Sequence, residues 1–591
     1  MRLGVDIGGT FTDFVLVDDA GRVRLHKRLT TPADPAGAVI EGVAHLAFPA
    51  SPTAQVVHGS TIATNALLER RGARTALITT QGFADLLEIG RQNRPQLYAL
   101  VPQRPMPLVP RAWRFELPER VSAQGEILLP LDPEAVRRLL PELIAAGIES
   151  VAVCFLFSYL RPEHEQLVQQ ILEAATSHPQ PSSSPLIPLS PPSSLHVTLS
   201  SALLPEYREY ERTAAAVINA YVTPLMDRYL SRLEAALQPR PLRIMQSNGG
   251  VLSALTARRQ AARTALSGPA GGVVGAFAVA TESSADPPHI ISFDMGGTST
   301  DVCLCPGHIP FTSEGELAAL GLPLRLPIID IHTVGAGGGS LARLDPGGAL
   351  LVGPQSAGAD PGPACYGRGG QQPTVTDANL LLNRLDPDQF LGGRMRLDRA
   401  AASVALASLA AQLDASLEQA AWGVLQVANA AMERAIRKIS VERGYDPADF
   451  TLVAFGGAGP LHACELAQRL SIPRVLVPRV PGVLSALGML VADLTQDYSV
   501  TVLRPLSSVS GPDLDALFAP WEARAAAEMR AELDLGPAGA SRPRLERSAD
   551  LRYRGQSFEI NVPVPTGPLD LPALLSDFHA RHAQRYGHAH P

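Results

Sequence analysis

The chain has 591 residues, 46% of them hydrophobic, and its 50 basic and 57 acidic side chains leave a formal net charge of −7. That length outgrows one hydrophobic core, so two or more domains are expected. The balanced charge, with no basic stripe, argues against a nucleic-acid partner, and the lack of a long apolar run argues against a membrane span.

In chain order, the first marked segment is Val5-Asp6-Ile7-Gly8-Gly9-Thr10-Phe11-Thr12-Asp13, an apolar strand ending in an acid, a Gly-Gly turn and a return strand. No signal-like leader is read before it, which makes the cytoplasm the expected location. A helix is expected over residues 36–47, then a strand at Val56-Val57 leading into the polar turn and helix start that carry His58, Ser60, Thr61 and Asn65. Strand Thr75–Thr79 precedes residues 82–94, read as a helix running into a loop that bears Asp85, Glu88 and Arg91. A helix over 133–146 and a strand over 150–155 complete an α/β alternation, and the first lobe is assigned to residues 1–175.

Residues 176–195 are Pro- and Ser-rich without a period, the composition of a loop or linker. A long helix is expected from Pro205 to Leu237, followed by strand Leu242–Met245 and the turn Gln246-Ser247-Asn248-Gly249-Gly250. Residues 267–272 read as a glycine-rich turn before a helix ending near Thr281. The opening signature then returns as Phe293-Asp294-Met295-Gly296-Gly297-Thr298-Ser299-Thr300-Asp301, 288 residues after the first copy. Asp330, His332 and Asp360 sit in further glycine-rich loops, where loop architecture is preferred over a metal site. Leu452 to His462 gives an apolar strand, the turn Gly456-Gly457-Ala458-Gly459 and a helix start, and the second lobe is assigned to 196–495. Residues 496–591 read as a strand over 498–503, a helix over 513–533 and strands at 547–553 and 559–564, an α+β unit whose sheet is expected to be incomplete. Its terminal His579, His582, His588 and His590 read as a helix end and tail. The five cysteines are scattered without C-x-x-C spacing, so neither a disulfide framework nor a zinc site is expected.

A Gly-Gly turn has no Cβ to block close approach, so its N–H groups can converge on anionic oxygens. Threonine hydroxyls add donors, and an acid at the end of the strand can hold a hydrated Mg²⁺ beside the phosphates. One such turn is weak evidence. Two copies with the same flanking acids, Asp6 with Asp13 and Asp294 with Asp301, are specific. Neither is a G-x-G-x-x-G fingerprint or a P-loop.

The repeat resembles the two phosphate motifs of the actin, hexokinase and Hsp70 superfamily. That resemblance implies an α/β fold of two ribonuclease-H-like lobes around an ATP cleft, with Gly456 to Gly459 facing adenosine. The ordered segments HGSTIATNALLERRGA, TTQGFADLLEIGRQNRP, LPEYREYERT, QSNGG, SGPAGGVVGA, FDMGGTSTDV, HTVGAGGGS, GADPGPACYG, TDANLLLNRL and AFGGAGPLHA are together similar to the hydantoinase A and 5-oxoprolinase family, over residues 3 to about 500. This second resemblance implies ATP-dependent opening of a cyclic amide: 5-oxoproline, a hydantoin or a related lactam. A neighbouring branch, the ketone carboxylases, activates acetone-like substrates with a similar subunit, and a nucleotide-controlled binding protein like Hsp70 is the third reading.

On these resemblances, Asp6 and Asp294 are the expected catalytic and metal-binding acids, with ATP and Mg²⁺ as cofactors and Mn²⁺ or K⁺ as alternative ions. Gly8, Gly9, Thr10, Thr12, Asp13, Gly296, Gly297, Thr298, Thr300 and Asp301 are expected at the phosphates. Substrate contacts are expected from His58, Ser60, Thr61, Asn65, Asp85, Glu88, Arg91 and Asn248, with a core histidine as the alternative for His58. A hydantoinase B-type partner subunit and an oligomeric assembly are also implied.

Overall fold

The computed structural model describes residues 1–9, 11–31, 34–93, 97–101, 105–177, 195–312, 316–317, 322–534, 543–567 and 569–590. Thr10 and most of the Pro/Ser-rich segment therefore lie outside the described residues.

Two sheets share one strand order. In the first, Val23–Leu29, Phe11–Val17 and Arg2–Ile7 each run antiparallel to their neighbour, and Gln55–Ser60 and Leu242–Met245 follow in parallel, with Val251–Ser253 added antiparallel at the edge. In the second, His332–Val334, Thr300–Pro306 and His289–Met295 are antiparallel, and Thr451–Phe455 and Arg474–Leu476 follow in parallel. Three antiparallel strands followed by two parallel ones is the ribonuclease-H-like arrangement, so the sequence repeat corresponds to two related lobes. The correspondence extends to register: Asp6 lies opposite Asp13, and Asp294 opposite Asp301. Each turn closes with the same bond, Gly8 N–H to Phe11 O at 2.9 Å and Gly296 N–H to Ser299 O at 3.0 Å.

The central strands are apolar runs because both faces are covered. Leu3, Val5 and Ile7 pack with the helices Pro35–His45 and Glu209–Leu237. The first of these starts where Asp34 caps Gly37 N–H and Pro35 supplies the fixed backbone of a first helical turn. Ile291, Phe293 and Met295 pack in the same way with the helices Arg399–Gln412 and Leu417–Ile439. A separate parallel sheet, in the order His196–Leu199, Ser150–Cys154, Thr75–Thr80 and Arg114–Leu117, carries its own core with the helices Pro133–Ala145 and Glu163–Ser177. The strand Leu242–Met245 and the long helix before it belong to the first sheet and its core, although the sequence places them in the second segment.

The lobes meet through a shared core in which Val15, Val57 and Met245 join Ile290, Cys303 and Val453. At its centre the helix Ser267–Glu282 crosses the helix Leu484–Val491. The glycines read as a turn are inside the first helix. A Cβ at Gly488 would stand 1.9 Å from Gly271 O, one at Gly271 would stand 2.9 Å from Ser485 O, and one at Gly275 2.8 Å from Leu484 O. The two backbones are in contact, which only glycine permits.

Residues 498–503 form no strand; the C-terminal unit consists of the helix Gly511–Asp534, the hairpin Arg547–Leu551 with Ile560–Val564, and the helix Leu571–Tyr586. It is tied to the first lobe by the ion pairs Arg243–Glu532 and Arg208–Glu559, both 2.7 Å. Of the terminal histidines, His582 is buried and bonded to His588 O. Among the described residues no single helix is long and apolar enough to cross a membrane.

Candidate active site

Asp6 and Asp294 each end the first strand of a lobe. The glycines after them present backbone outward: Gly9 and Gly297 are exposed, Gly8 and Gly296 half-buried. A Cβ at Gly9 would meet nothing within 4 Å, and at Gly296 nothing nearer than 3.9 Å. Gly9 and Gly297 thus stand exposed beside the acids, while the N–H groups of Gly8 and Gly296 are engaged inside the turns by Phe11 O and Ser299 O. Thr12 and Thr300, in matching places, are fully buried; Thr12 Oγ1 lies 3.1 Å from Thr30 Oγ1, and Thr300 donates to Ala336 O. Their hydroxyls brace the turns, whereas Thr298 is exposed.

The four acids form one electrostatic unit. Asp6 Oδ1 is buried and has no hydrogen-bond partner. Burial, then the charge of Asp13, pushes the Asp6 carboxyl up to about 7, against the opposing charge of Lys27. Burial, then the charges of Asp301, Asp6 and Asp13, holds Asp294 well above the ordinary carboxylate range. Burial raises Asp301 to about 6, although the Thr333 hydroxyl donates to it. Geometry links the two hairpins at one cleft: Lys27, beside Asp13, donates to Gly482 O at 3.1 Å, and the neighbouring Pro481 O accepts from the N–H of Gly456, the residue that wraps Asp294. Among the described residues no group of three or more His, Cys, Asp or Glu side chains forms a metal cage.

Three elements frame the acids. Gly456, at φ 79°, turns so closely around the second strand that a Cβ would lie 2.2 Å from Asp294 Oδ1, and Ala458 N–H donates to Met295 O at 2.9 Å. Gly457 beside it is exposed, and Gly459 opens the helix Gly459–Arg469. The loop through Gly337, Gly338 and Gly339 is laced to the second turn, with Gly338 N–H on Gly296 O at 3.0 Å and Gly339 N–H on Gly297 O at 2.7 Å. On the first lobe, the start of the helix Ser267–Glu282 abuts Asp6: a Cβ at Gly268 would stand 3.3 Å from Asp6 Oδ1. Leu266, in the left-handed region at φ 63°, is held there by N–H donation to Thr64 Oγ1 at 2.8 Å.

The other sequence candidates divide. Ser60 lies at the end of the strand beside Ile7 in register, bonded to Ser267, and Thr61 and Asn65 follow on the next helix. His58 is fully buried, with Nδ1 3.1 Å from Val5 O and Nε2 2.7 Å from Tyr229 Oη, so both ring nitrogens are satisfied within the core. Arg91 grips Glu211 through two bonds of 2.7 and 2.6 Å, Asp85 pairs with Arg111 at 2.6 Å, and Glu88 pairs with Arg114 at 3.0 Å. Asn248 donates to Asp497 at 2.6 Å and accepts from Gly250 N–H at 2.9 Å. These four are engaged in holding loops and helices together.

One residue in the cleft carries no sequence motif. Lys27, on the Val23–Leu29 strand, places its ammonium 2.6 Å from Asp13 and donates to Gly482 O at 3.1 Å.

Two matched ribonuclease-H-like lobes, each with an acid-and-glycine hairpin at one cleft, define the class of the fold. A family model described as Hydantoinase/oxoprolinase matches residues 212–498, and one described as Hydantoinase/oxoprolinase N-terminal region matches residues 2–176. The chain belongs to the hydantoinase/oxoprolinase family. It is 37% identical to the caprolactamase subunit alpha of Pseudomonas jessenii, an alignment covering 100% of this chain and 84% of that protein. It is 36% identical to 5-oxoprolinase 1 of Arabidopsis thaliana, over 95% of this chain and 46% of that protein. The crystal structure of the ATP-dependent caprolactamase from Pseudomonas jessenii superposes with a TM-score of 0.84 at 35% identity, covering 100% of this chain and 85% of that one. A nucleotide-free acetone carboxylase structure superposes with a TM-score of 0.79 at 29% identity, covering 99% and 84%.

Proposed function

We propose that this chain is the ATP-using component of an enzyme that opens a cyclic amide, with 5-oxoproline, hydantoins and related lactams as its substrate class. The observation that carries this reading is the orphaned, buried Asp6 oxygen, set among like charges at the start of a glycine hairpin. A buried carboxylate without a partner is costly unless a ligand completes it. Asp6 and Asp294 would hold a hydrated divalent cation there, which would offset the charge of the phosphates; Mg²⁺ suits that task because it keeps its waters.

ATP would supply a phosphoryl group to the amide oxygen, turning a resonance-stabilised carbonyl into an electrophile that water attacks. The ring C–N bond then breaks, and two waters are consumed in yielding the open amino acid, ADP and phosphate. The protein's share is positioning and charge neutralisation. The glycine N–H groups hold the phosphates, the acids hold the cation, and Gly456 to Gly459 face the adenosine. Ser60 and Thr61, at the strand end beside the Asp6 turn, are the polar groups best placed to orient substrate. The caprolactamase relative is a subunit alpha, one chain of a larger enzyme, and this supports a separate B-type partner for the hydrolytic step here.

The acetone carboxylase superposition favours ketone activation as the second reading. The test is ATP hydrolysis by the chain with its partner subunit, measured with 5-oxoproline, hydantoin or caprolactam against acetone with bicarbonate. A lactam or hydantoin is expected to stimulate ADP release. Stimulation by acetone alone would transfer the assignment to the ketone branch, and tight nucleotide binding without stimulation by any small molecule would favour a nucleotide-controlled binding protein.

A further inference from the structure

Of the 50 Lys and Arg residues in the chain only two, Lys27 and Lys438, are lysines. Arginine thus fills nearly every position that asks merely for positive charge. Lys438 is exposed on the helix Leu417–Ile439, but Lys27 stands inside the cleft. It pairs with Asp13 in strand register, and its side chain is only 21% exposed. Its ammonium lies 5.0 Å above the Phe11 ring and spans the lobes, 2.6 Å from Asp13 on its own side and 3.1 Å from Gly482 O on the other. Its charge acts on Asp6, Asp13 and Asp294 alike.

The chemistry explains why a lysine stands here. An ammonium is a compact point charge with three rotatable donors, whereas a guanidinium is a rigid planar fork. Asp13 and Gly482 engage two of the three donors. A cleft holding four carboxylates and a triphosphate needs a cation that can change partners without rearranging the turns. The neighbouring Arg394 does not serve, because its guanidinium is spent on the Lys27 carbonyl at 3.3 Å and on Leu391 O.

We propose that Lys27 is a phosphate-contacting residue of the cleft, its ammonium turning from Asp13 and Gly482 to the terminal phosphate of bound ATP. This rests on the ATP reading above. The two-lysine composition makes a direct test possible. The intact wild-type chain is reductively methylated with and without a non-hydrolysable ATP analogue and Mg²⁺, and each lysine is followed by mass spectrometry. Nucleotide is expected to protect Lys27 severalfold and to leave Lys438 unchanged. In parallel, Lys27→Met and Lys27→Arg are expected to weaken binding of the analogue about 10- to 100-fold, the worth of a charge-assisted hydrogen bond, while adenosine binding is kept. Equal labelling of Lys27 with analogue demonstrably bound would overturn the inference alone, as would wild-type affinity in Lys27→Arg. If the wild-type chain binds no analogue, the ATP reading falls and this inference with it. The labelling measurement uses only wild-type protein, so it decides even if a variant fails to fold.

Discussion

An unpaired acid in a folded interior weakens the protein that carries it, so its presence marks a residue kept for something other than stability. Asp6 is such a residue, and Asp6→Asn is expected to raise the stability of the nucleotide-free chain by about 1–3 kcal/mol by removing an unmatched charge. The same change should abolish substrate-stimulated ATP hydrolysis. Denaturant titration beside phosphate release checks both halves, and a destabilised Asn variant would show that Asp6 is a structural acid. Gly337 gives the opposite signature. Its Cβ would stand 2.7 Å from the Gly297 backbone and from Ser299 N, atoms that cannot swing aside. Gly337→Ala is expected to displace the second turn, costing about 1–3 kcal/mol of overpacking and with it nucleotide affinity. Thermal unfolding and nucleotide titration measure the two losses. The matched placement of Asp6 and Asp294 in the two lobes was legible in the sequence because the same acid precedes the same glycines twice. Lys27 was not, since VRLHKRL carries no motif and only the scarcity of lysine elsewhere sets it apart. The engaged state of Arg91, Asp85, Glu88 and Asn248 was equally hidden, because each partner lies far along the chain or on a neighbouring element.

At the scale of elements, local rules misread Ser267 to Gly272. A cluster of glycines with a proline signals a turn, and each glycine inside a helix costs about 1 kcal/mol relative to alanine. Here that cost is met by tertiary contact, since Gly271 and Gly275 let the helix Leu484–Val491 lie against the backbone of its partner and Gly272 makes room for the Phe455 ring. No neighbouring residue announces such a crossing. The contact has a sharp consequence for Gly488→Ala. With 1.9 Å between the new Cβ and Gly271 O, the helices must separate, at a cost of about 1–3 kcal/mol or more. Because this crossing lies in the core shared by the lobes, the variant should also loosen the pairing of the two acid hairpins and weaken nucleotide binding. A thermal midpoint and an affinity equal to wild type would show that the helices can slide without loss. The hairpins themselves were legible at this scale, since strand, turn and return strand are local in sequence.

For the whole molecule, the repeat was enough to foresee two lobes, but not which residues complete each sheet, because the chain returns at Leu242–Met245 to finish the first. Both lobes also bury a histidine in the same way. His58 Nδ1 faces Val5 O and His462 Nδ1 faces Asn429 Oδ1, so each ring donates there and its Nε2 is left as an acceptor, toward Tyr229 Oη and Asn379 Nδ2. Neither ring has room for a second proton without burying an unmatched charge. Burial holds His58 down to about 4 and, with the charge of Arg384 added and Glu465 opposing, His462 to about 4. With the folded value below the unfolded 6.5, the unfolded chain binds more protons between these limits. The stabilising contribution is therefore complete above about pH 6.5 and is lost as pH falls toward about 4, by roughly 2 kcal/mol per histidine at about pH 5. Asp6 and Asp301, raised to about 7 and about 6, work in the opposite sense, losing stability as pH rises, so the absolute curve mixes the two. The difference between proteins separates them. His462→Gln keeps an amide able to bond Asn429 but cannot titrate, so its unfolding free energy should fall about 2 kcal/mol less than that of wild type between about pH 7.5 and pH 5. Denaturant titrations of the two proteins across this range measure the difference, and coincident slopes would show that the buried ring of the second lobe already accepts its proton in the folded state.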